Sequence, residues 1–392
     1  MGLRSRAVSV TAARGFRTAG VAAGLKSSGG LDLAIVVNDG PMHSAAGVFT
    51  TNRFPAAPVL WSRQVLSAGV VRAVLLNAGG ANACTGPDGF RDAHRSAEAV
   101  GAGLYVSPAE VALCSTGLIG ERLPLDLLLG GVADAVAGLS ADPARADDAA
   151  NAIRTTDTVA KQAVATGSAF TVGGMAKGAG MLAPELATML VVLTTDASAD
   201  PATLDRVLRA ATAKSFDRID SDGCMSTNDT VLLLASGASG ATPDAAELAE
   251  TVARVCADLA AQLVADAEGA SKEVLVEVVG AASEPEAVDV ARTVARSNLL
   301  KCALHGEDAN WGRVLAAVGT TTAAFEPDAV DVAINGVWVA RSGAAGAPRS
   351  MVDLSGRRVT VTVNLQAGNA AAEIWTTDLT AAYVHENSAY SS

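Results

Sequence analysis

Short apolar runs alternate along the chain with stretches whose apolar positions recur at helical spacing. That alternation predicts α/β character. Leu31–Val37, Ala45–Thr50 and Val70–Leu76 read as strands, each bounded by Gly, Asn, Asp or Ser. Residues 90–103 and 122–137 read as helices, and the Ala- and Asp-rich stretch 140–152 as helix or loop. Val111–Leu113 is strand-like, and Phe170–Val172 is a short strand running into Gly173-Gly174. The run Thr188–Thr194 is continuously apolar at its centre, which predicts a strand covered on both faces. Pro201 starts a helix through Thr212 with Asp200 as its cap. After strand Val231–Ala235, Thr242-Pro243 opens a long helix with Leu248, Val252, Val255, Leu259 and Leu263 on one face. Glu273–Val279 is a strand, 284–298 a helix and Trp311–Val318 a helix. Strands at Val330–Ile334, Val337–Ala340, Val359–Val363 and Ala372–Trp375 make the last region β-rich, a smaller lobe. Gly343–Pro348 is its most linker-like segment, short enough for a hairpin loop. The polar end, His385–Ser392, reads as a frayed tail unless something pins it.

Composition narrows the function. The 392 residues suffice for two domains, or one large core with a smaller lobe. Half of them are hydrophobic but only 4% aromatic, which describes a closely packed chain and not a disordered one. A net charge of −12 argues against binding a phosphate backbone. Five scattered cysteines without a CxxC pair argue against a disulfide framework and for a reducing compartment. Four histidines lack metal-binding spacing, so no metal is expected. Neither a signal peptide nor a membrane span is visible, and a cytoplasmic protein is expected.

The glycine-rich stretch 173–180 is not a P-loop, because Lys177 precedes Gly178-Ala179 instead of following the pattern GxxxxGK[ST]. No GxSxG elbow is present, which excludes a serine nucleophile of the α/β-hydrolase kind. Thr188 carries a different chemistry. It follows the small residue Ala187 and opens an apolar run. Cutting the Ala187–Thr188 bond would give Thr188 a free α-amine beside its hydroxyl, so one residue would supply nucleophile and base. Taken alone, Thr188 is equally one more β-branched strand residue. Lys177 reads either as a surface lysine in a glycine-rich loop or as a cation for a substrate carboxylate. Such a cation would also lower the pKa of a neighbouring amine. Thr116 and Gly117, after a strand, can supply a hydroxyl and a backbone N–H to an oxyanion, or make a plain turn. Glu268 lies at the end of the long helix, where a carboxylate faces the wrong end of the dipole and calls for a cation. Asn77–Gly86 is a loop of small and polar residues that lets backbone approach a ligand.

These segments together resemble the ornithine acetyltransferase family of arginine biosynthesis, often called ArgJ. The matching stretches include Asn77–Gly86, Ser115–Gly120, Thr155–Thr158, Gly173–Leu190, Ser215–Asp229, Asp266–Lys272, Asn310–Val314 and Glu386–Ser392, so the resemblance spans essentially the whole chain. It implies an α/β fold, a self-processing α-β-β-α sandwich (DmpA/ArgJ-like) with a smaller C-terminal α/β lobe. It implies cleavage into an α chain, 1–187, and a β chain, 188–392. The sandwich would continue to about 270, the lobe would span about 271–380, and the tail from 381 would return to the site. Thr188 would then carry acetyl from N-acetylornithine to glutamate by a ping-pong route, with no cofactor and with acetyl-CoA as an open second donor. Thr116 and Gly117 match the family's oxyanion hole. Thr155, Lys177, Thr188, Glu268, Asn387 and Ser392 match its substrate contacts, Lys177 suiting a carboxylate and Glu268 an ammonium. An (αβ)₂ heterotetramer is implied as well. Gly80 stands where many relatives carry Asn, which puts one side-chain contact in doubt. Two other readings stay open: a self-processing hydrolase whose acyl-enzyme is resolved by water, and an uncleaved binding protein for amino acids.

Overall fold

A computed structural model describes residues 9–182 and 189–389. Thr188, its neighbour Ala187 and Ser392 lie outside the described residues. Three sheets organise the described residues. The first runs β1 (Phe16–Val21), β2 (Leu33–Asn38), β4 (Ala73–Asn77), β5 (Val111–Ser115). The second runs β3 (Ser44–Phe49), β9 (Thr230–Ala235), β8 (Leu190–Thr195), β7 (Thr171–Lys177), β6 (Lys161–Thr166). Pairing is antiparallel except for β4 with β5 and β9 with β8.

Side-chain alternation shows how these two sheets stack. Ala34, Val36, Val74, Leu76 and Cys114 of the first share a dry core with Leu190, Val192, Leu232 and Leu234 of the second. Their alternates face outward. Ile35, Leu75 and Leu113 pack on helices α2 (Gly86–Leu104) and α3 (Leu125–Ala137). Val191, Leu193 and Leu233 pack on α5 (Pro201–Thr212) and α6 (Ala245–Ala265). The layers are therefore helix, sheet, sheet, helix, with a period-two register assigning each strand residue to one of two cores. Helices α1 (Ala57–Leu66) and α4 (Pro143–Ala152) pack at the sides, α1 on β5 and α4 on β1.

The third sheet runs β13 (Ala344–Ala345), β12 (Val337–Arg341), β11 (Asp331–Ile334), β14 (Arg358–Asn364), β10 (Glu273–Ala281), β15 (Ala370–Thr377). With α7 (Glu284–Ala295), α8 (Asn298–His305) and α9 (Trp311–Val318) it buries a core of its own, rich in Val and Ala. A last helix, α10 (Ala381–Ala389), follows.

The long apolar stripe expected on α6 is buried throughout, from Leu248 to Leu263. Burying each such side chain contributes about 1.5–3 kcal/mol, which explains why this helix is held so firmly over β6 and β7. Asp200 caps α5 by accepting from the Thr203 N–H at 2.9 Å, as expected. Other boundaries move. The long helix starts after Asp244, which accepts from Glu247 N at 2.8 Å, and not at Thr242-Pro243. Residues 284–298 are not one helix, because Ser297 turns outward and caps α8. The glycine-rich stretch is strand up to Lys177, not a loop, so Lys177 is not a surface residue. A Cβ on Gly173 would stand 2.2 Å from the Ser9 carbonyl oxygen, so glycine there lets two backbones touch.

Candidate active site

The ends of five strands meet at one edge of the sandwich. β4 and β5 finish side by side at Asn77 and Ser115. β7 finishes at Lys177, paired with Leu190 at the start of β8, which in turn pairs with Thr230 at the start of β9. The loop after β5 carries Thr116 and Gly117. The Thr116 N–H donates to the Asn77 carbonyl at 3.0 Å. Asn77 also accepts from Ser115 Oγ at 2.6 Å. Gly117 has φ +126°, and a Cβ there would lie 2.6 Å from Gly80 N. Only glycine lets this loop lie so close against 79–80, where Thr116 forms an isolated bridge with Gly80.

Lys177 and Thr116, far apart in sequence, touch. The Lys177 ammonium donates to Thr116 Oγ1 at 3.1 Å, with both residues 2% exposed. A hydroxyl that accepts from an ammonium keeps its own proton for a second partner and gives it up more readily. Burial lowers the Lys177 pKa, while the carboxylates of Asp157, Glu268 and Asp229 pull it back up. The cation is therefore placed under Thr116, and it is not among the residues lining the cleft described next.

That cleft, about 1100 Å³, is lined by Gly79, Gly80, Gly117, Thr155, Glu268 and His385, among others. Thr155 is held by its neighbour: Asp157 Oδ2 accepts from Thr155 N at 3.1 Å. The other Asp157 oxygen accepts from Lys161 Nζ and Gly178 N, both at 2.7 Å. Burial alone would raise Asp157, but the Lys177 and Lys161 ammonium groups and the Gly178 N–H outweigh it and hold the carboxyl at about 2. Sequence reasoning passed over Asp157 and Lys161. The signal was present as Thr-Thr-Asp-Thr followed three residues later by Lys161, but nothing in a sequence says that the pair is buried.

Among the described residues Glu268 is not paired with a cation. Its Oε1 accepts from Thr156 Oγ1 at 2.5 Å and its Oε2 from Asn387 Nδ2 at 3.0 Å. The cation demanded by the helix end is found at Asp266, which takes Lys161 Nζ at 2.6 Å. Asn387 is in place because the tail is helix and not frayed. Thr380 Oγ1 accepts from Tyr383 N at 2.9 Å, capping α10, and donates to the Gly269 carbonyl at 2.6 Å.

Asp229 is a further buried carboxyl that sequence reasoning did not single out. Its Oδ1 accepts from Met189 N at 3.1 Å. Its Oδ2 has no hydrogen-bond partner of ordinary geometry among the described residues. Burial drives it well above the usual carboxylate range, against the pull of the Met189 N–H and the Lys177 ammonium. Beside it, Asn228 Nδ2 donates to the carbonyls of Ala81 at 2.7 Å and Ser115 at 2.8 Å, joining the two loops around Thr116. Among the described residues no group of His, Cys, Asp and Glu is arranged to hold a metal ion.

The Asp157 network makes a pH prediction. Its carboxyl is depressed to about 2 from 3.8. A depressed acid stabilises the fold above its unfolded pKa and loses that contribution as pH falls toward the folded value. The shift corresponds to ~2 kcal/mol. Asp157→Asn should lower the melting temperature by several degrees at pH 7, and the gap to wild type should narrow below about pH 4 and vanish near pH 2. Thermal unfolding at pH 7 and near pH 2 checks this, and a constant gap would mean that the carboxyl's charge is not what matters.

The model of the ArgJ family matches residues 17–392. The arginine biosynthesis bifunctional protein ArgJ of Streptomyces avermitilis is 65% identical, over 98% of this chain and all of that one. Its namesake from Thermobifida fusca is 62% identical, over 98% of this chain and all of that one. The crystal structure of an ornithine acetyltransferase from Mycobacterium tuberculosis, in complex with ornithine, is 56% identical. It covers 47% of this chain and 98% of its own, with a TM-score of 0.44. With a family model spanning all but its first residues and relatives alike from end to end, this chain belongs to the ArgJ family and is an acyltransferase of arginine biosynthesis.

Proposed function

We propose that the chain cuts itself between Ala187 and Thr188 and then moves acetyl from N-acetylornithine to glutamate. In the first step Thr188 Oγ attacks the Ala187 carbonyl carbon. The peptide nitrogen leaves, takes up a proton and becomes the Thr188 α-amine. Water cleaves the resulting ester, giving an α chain ending in the Ala187 carboxylate and a β chain starting at Thr188. In the second step the free amine accepts the hydroxyl proton as Oγ attacks the acetyl carbonyl. Ornithine departs with that proton on its amine. The glutamate amine then attacks acetyl-Thr188 and frees N-acetylglutamate.

The observation that carries this reading is the Lys177–Thr116 contact beside Gly117. It sits at the strand ends where β8 begins, two residues after Thr188, with the Thr116 hydroxyl proton left for a second partner. We assign the oxyanion to the Thr116 hydroxyl and the Gly117 N–H. Thr155 and Glu268, on the cleft wall, and Asn387, bonded to Glu268, are assigned to substrate. Glu268 carries the charge that an ornithine ammonium needs. Lys177 and Ser392 complete the set inherited from the family pattern. The ornithine in the mycobacterial structure and the bifunctional name of the relatives support these substrates and make acetyl-CoA a donor worth assaying. We place the enzyme in the cytoplasm, which suits five unpaired thiols, and assign it an (αβ)₂ assembly.

Intact-mass measurement and a transfer assay test the reading together. Pieces of 187 and 205 residues (392 − 187) are expected, with acetyl reaching glutamate faster than water. Transfer slower than hydrolysis of N-acetylornithine would make the protein a hydrolase. A single uncut chain without turnover would make it a binding protein.

A further inference from the structure

We propose that the loop between Asp220 and Thr230 is a clamp that sets the register of the self-cleaving segment, with Asp222 and Asp229 as its two positioning residues. The proposal rests on the self-cleavage reading above. It starts from a symmetry of hydrogen bonds around residues 183–188. On the upstream side, Asp222 Oδ2 accepts from Met181 N at 2.7 Å, while Ser221 N donates to the Leu182 carbonyl at 2.5 Å. On the downstream side, Asp229 Oδ1 accepts from Met189 N at 3.1 Å, while Thr230 N donates to the Met189 carbonyl at 3.1 Å. Each flank is thus held by one bond given and one received. Both carboxylates come from the same loop.

Nucleophilic attack by a side chain on the preceding peptide bond needs the reacting atoms near van der Waals contact and aligned, and small misplacements cost orders of magnitude in rate. The bonds to Met181, Leu182 and Met189 fix both flanks of the bond to be cut. The upstream flank is also bent as free chain would not choose: Met181 has φ +53°, a left-handed conformation that surrounding structure must hold. The loop itself is anchored at its root. Asp220 takes Arg296 Nε at 2.7 Å, and the Ser221 carbonyl takes Lys301 Nζ at 2.6 Å. At its other end Asn228 grips the Ser115 carbonyl, next to Thr116. One loop therefore fixes, relative to one another, the two flanks of the segment and the strand end that carries the oxyanion donors. Transfer by the mature enzyme needs the last of these, and the Met181 flank bears on it only indirectly, through the Ala179 carbonyl that accepts from Glu268 N at 2.9 Å.

The test is pulse–chase of the full-length chain in a translation extract, followed on denaturing gels. Asp222→Ala should slow appearance of the two pieces tenfold or more. Its melting temperature should stay within a few degrees of wild type, and its transfer rate per cleaved chain should fall far less than its processing rate. Asp229→Ala should slow processing as strongly, and Asp229→Asn, which keeps an oxygen facing Met189 N, should restore most of the rate. Wild-type processing speed in Asp222→Ala would overturn the clamp while leaving self-cleavage intact. So would slower processing accompanied by an equal loss of melting temperature and of transfer per cleaved chain. If the wild-type chain itself is never cut at Ala187–Thr188, the underlying reading fails instead.

Discussion

Thr188→Ala should yield one uncut chain of 392 residues and no acetyl transfer. Both losses follow from one atom. Without Oγ there is no internal nucleophile for the Ala187 carbonyl, and a peptide bond left to water alone does not break on any useful timescale. Without cleavage there is no free amine at residue 188, and without Oγ nothing accepts the acetyl group. Removing the nucleophile of a covalent mechanism costs on the order of 10⁴-fold or more, and the losses of groups acting as a unit do not add. Thr188→Ser separates the two requirements. It keeps the hydroxyl and the amine but drops the methyl that fixes the side-chain rotamer. It should still split, more slowly, and should transfer at a reduced rate. Intact mass gives the first result and an acetyl-glutamate assay the second. Cleavage of the Thr188→Ala chain at the same bond would show that another group attacks.

The sandwich was legible where chemistry is local. The apolar runs at β2, β4 and β9 announce strands and the continuous run at β8 a strand covered on both faces, and each contributes alternately to two cores. The stripe along α6 and the cap at Asp200 were equally plain. What stayed hidden was decided by partners far along the chain. The short strand β1 has Arg17 and Gly20 within it, and the sequence shows no run there. Lys161 and Asp157 look like ordinary surface charges until tertiary packing removes their solvent. Lys177 was legible as a candidate cation for a substrate carboxylate, but its contact with Thr116 Oγ1 was not. Glycines read as a flexible loop proved to be strand residues chosen for close backbone approach. Asp222 and Asp229 fell inside the family-matching stretch Ser215–Asp229 but were not singled out, because their bonds to Met181 and Met189 exist only in the fold.

Thr116→Ala should lower kcat/KM by about 10²–10³, the usual cost of one oxyanion donor, equivalent to ~3–4 kcal/mol. Thr116→Ser should recover most of it, since the donor and its contact with Lys177 are both kept. Gly117→Ala should cost as much by a different route. The new Cβ would stand 2.6 Å from Gly80 N and 2.7 Å from the Gly79 carbonyl carbon, and φ +126° is strained for any side chain. The loop would have to move, taking its N–H out of line. Lys177→Met then decides what the buried cation does. If the ammonium acts through the Thr116 hydroxyl, the double variant with Thr116→Ala should be little worse than Thr116→Ala alone, because the second change removes a partner that no longer has a role. If Lys177 instead holds the glutamate carboxylate, its loss should raise the KM for glutamate whether or not Thr116 is present, and the two penalties should add. The position of Lys177, 2% exposed and 3.1 Å from Thr116 Oγ1, favours the first outcome.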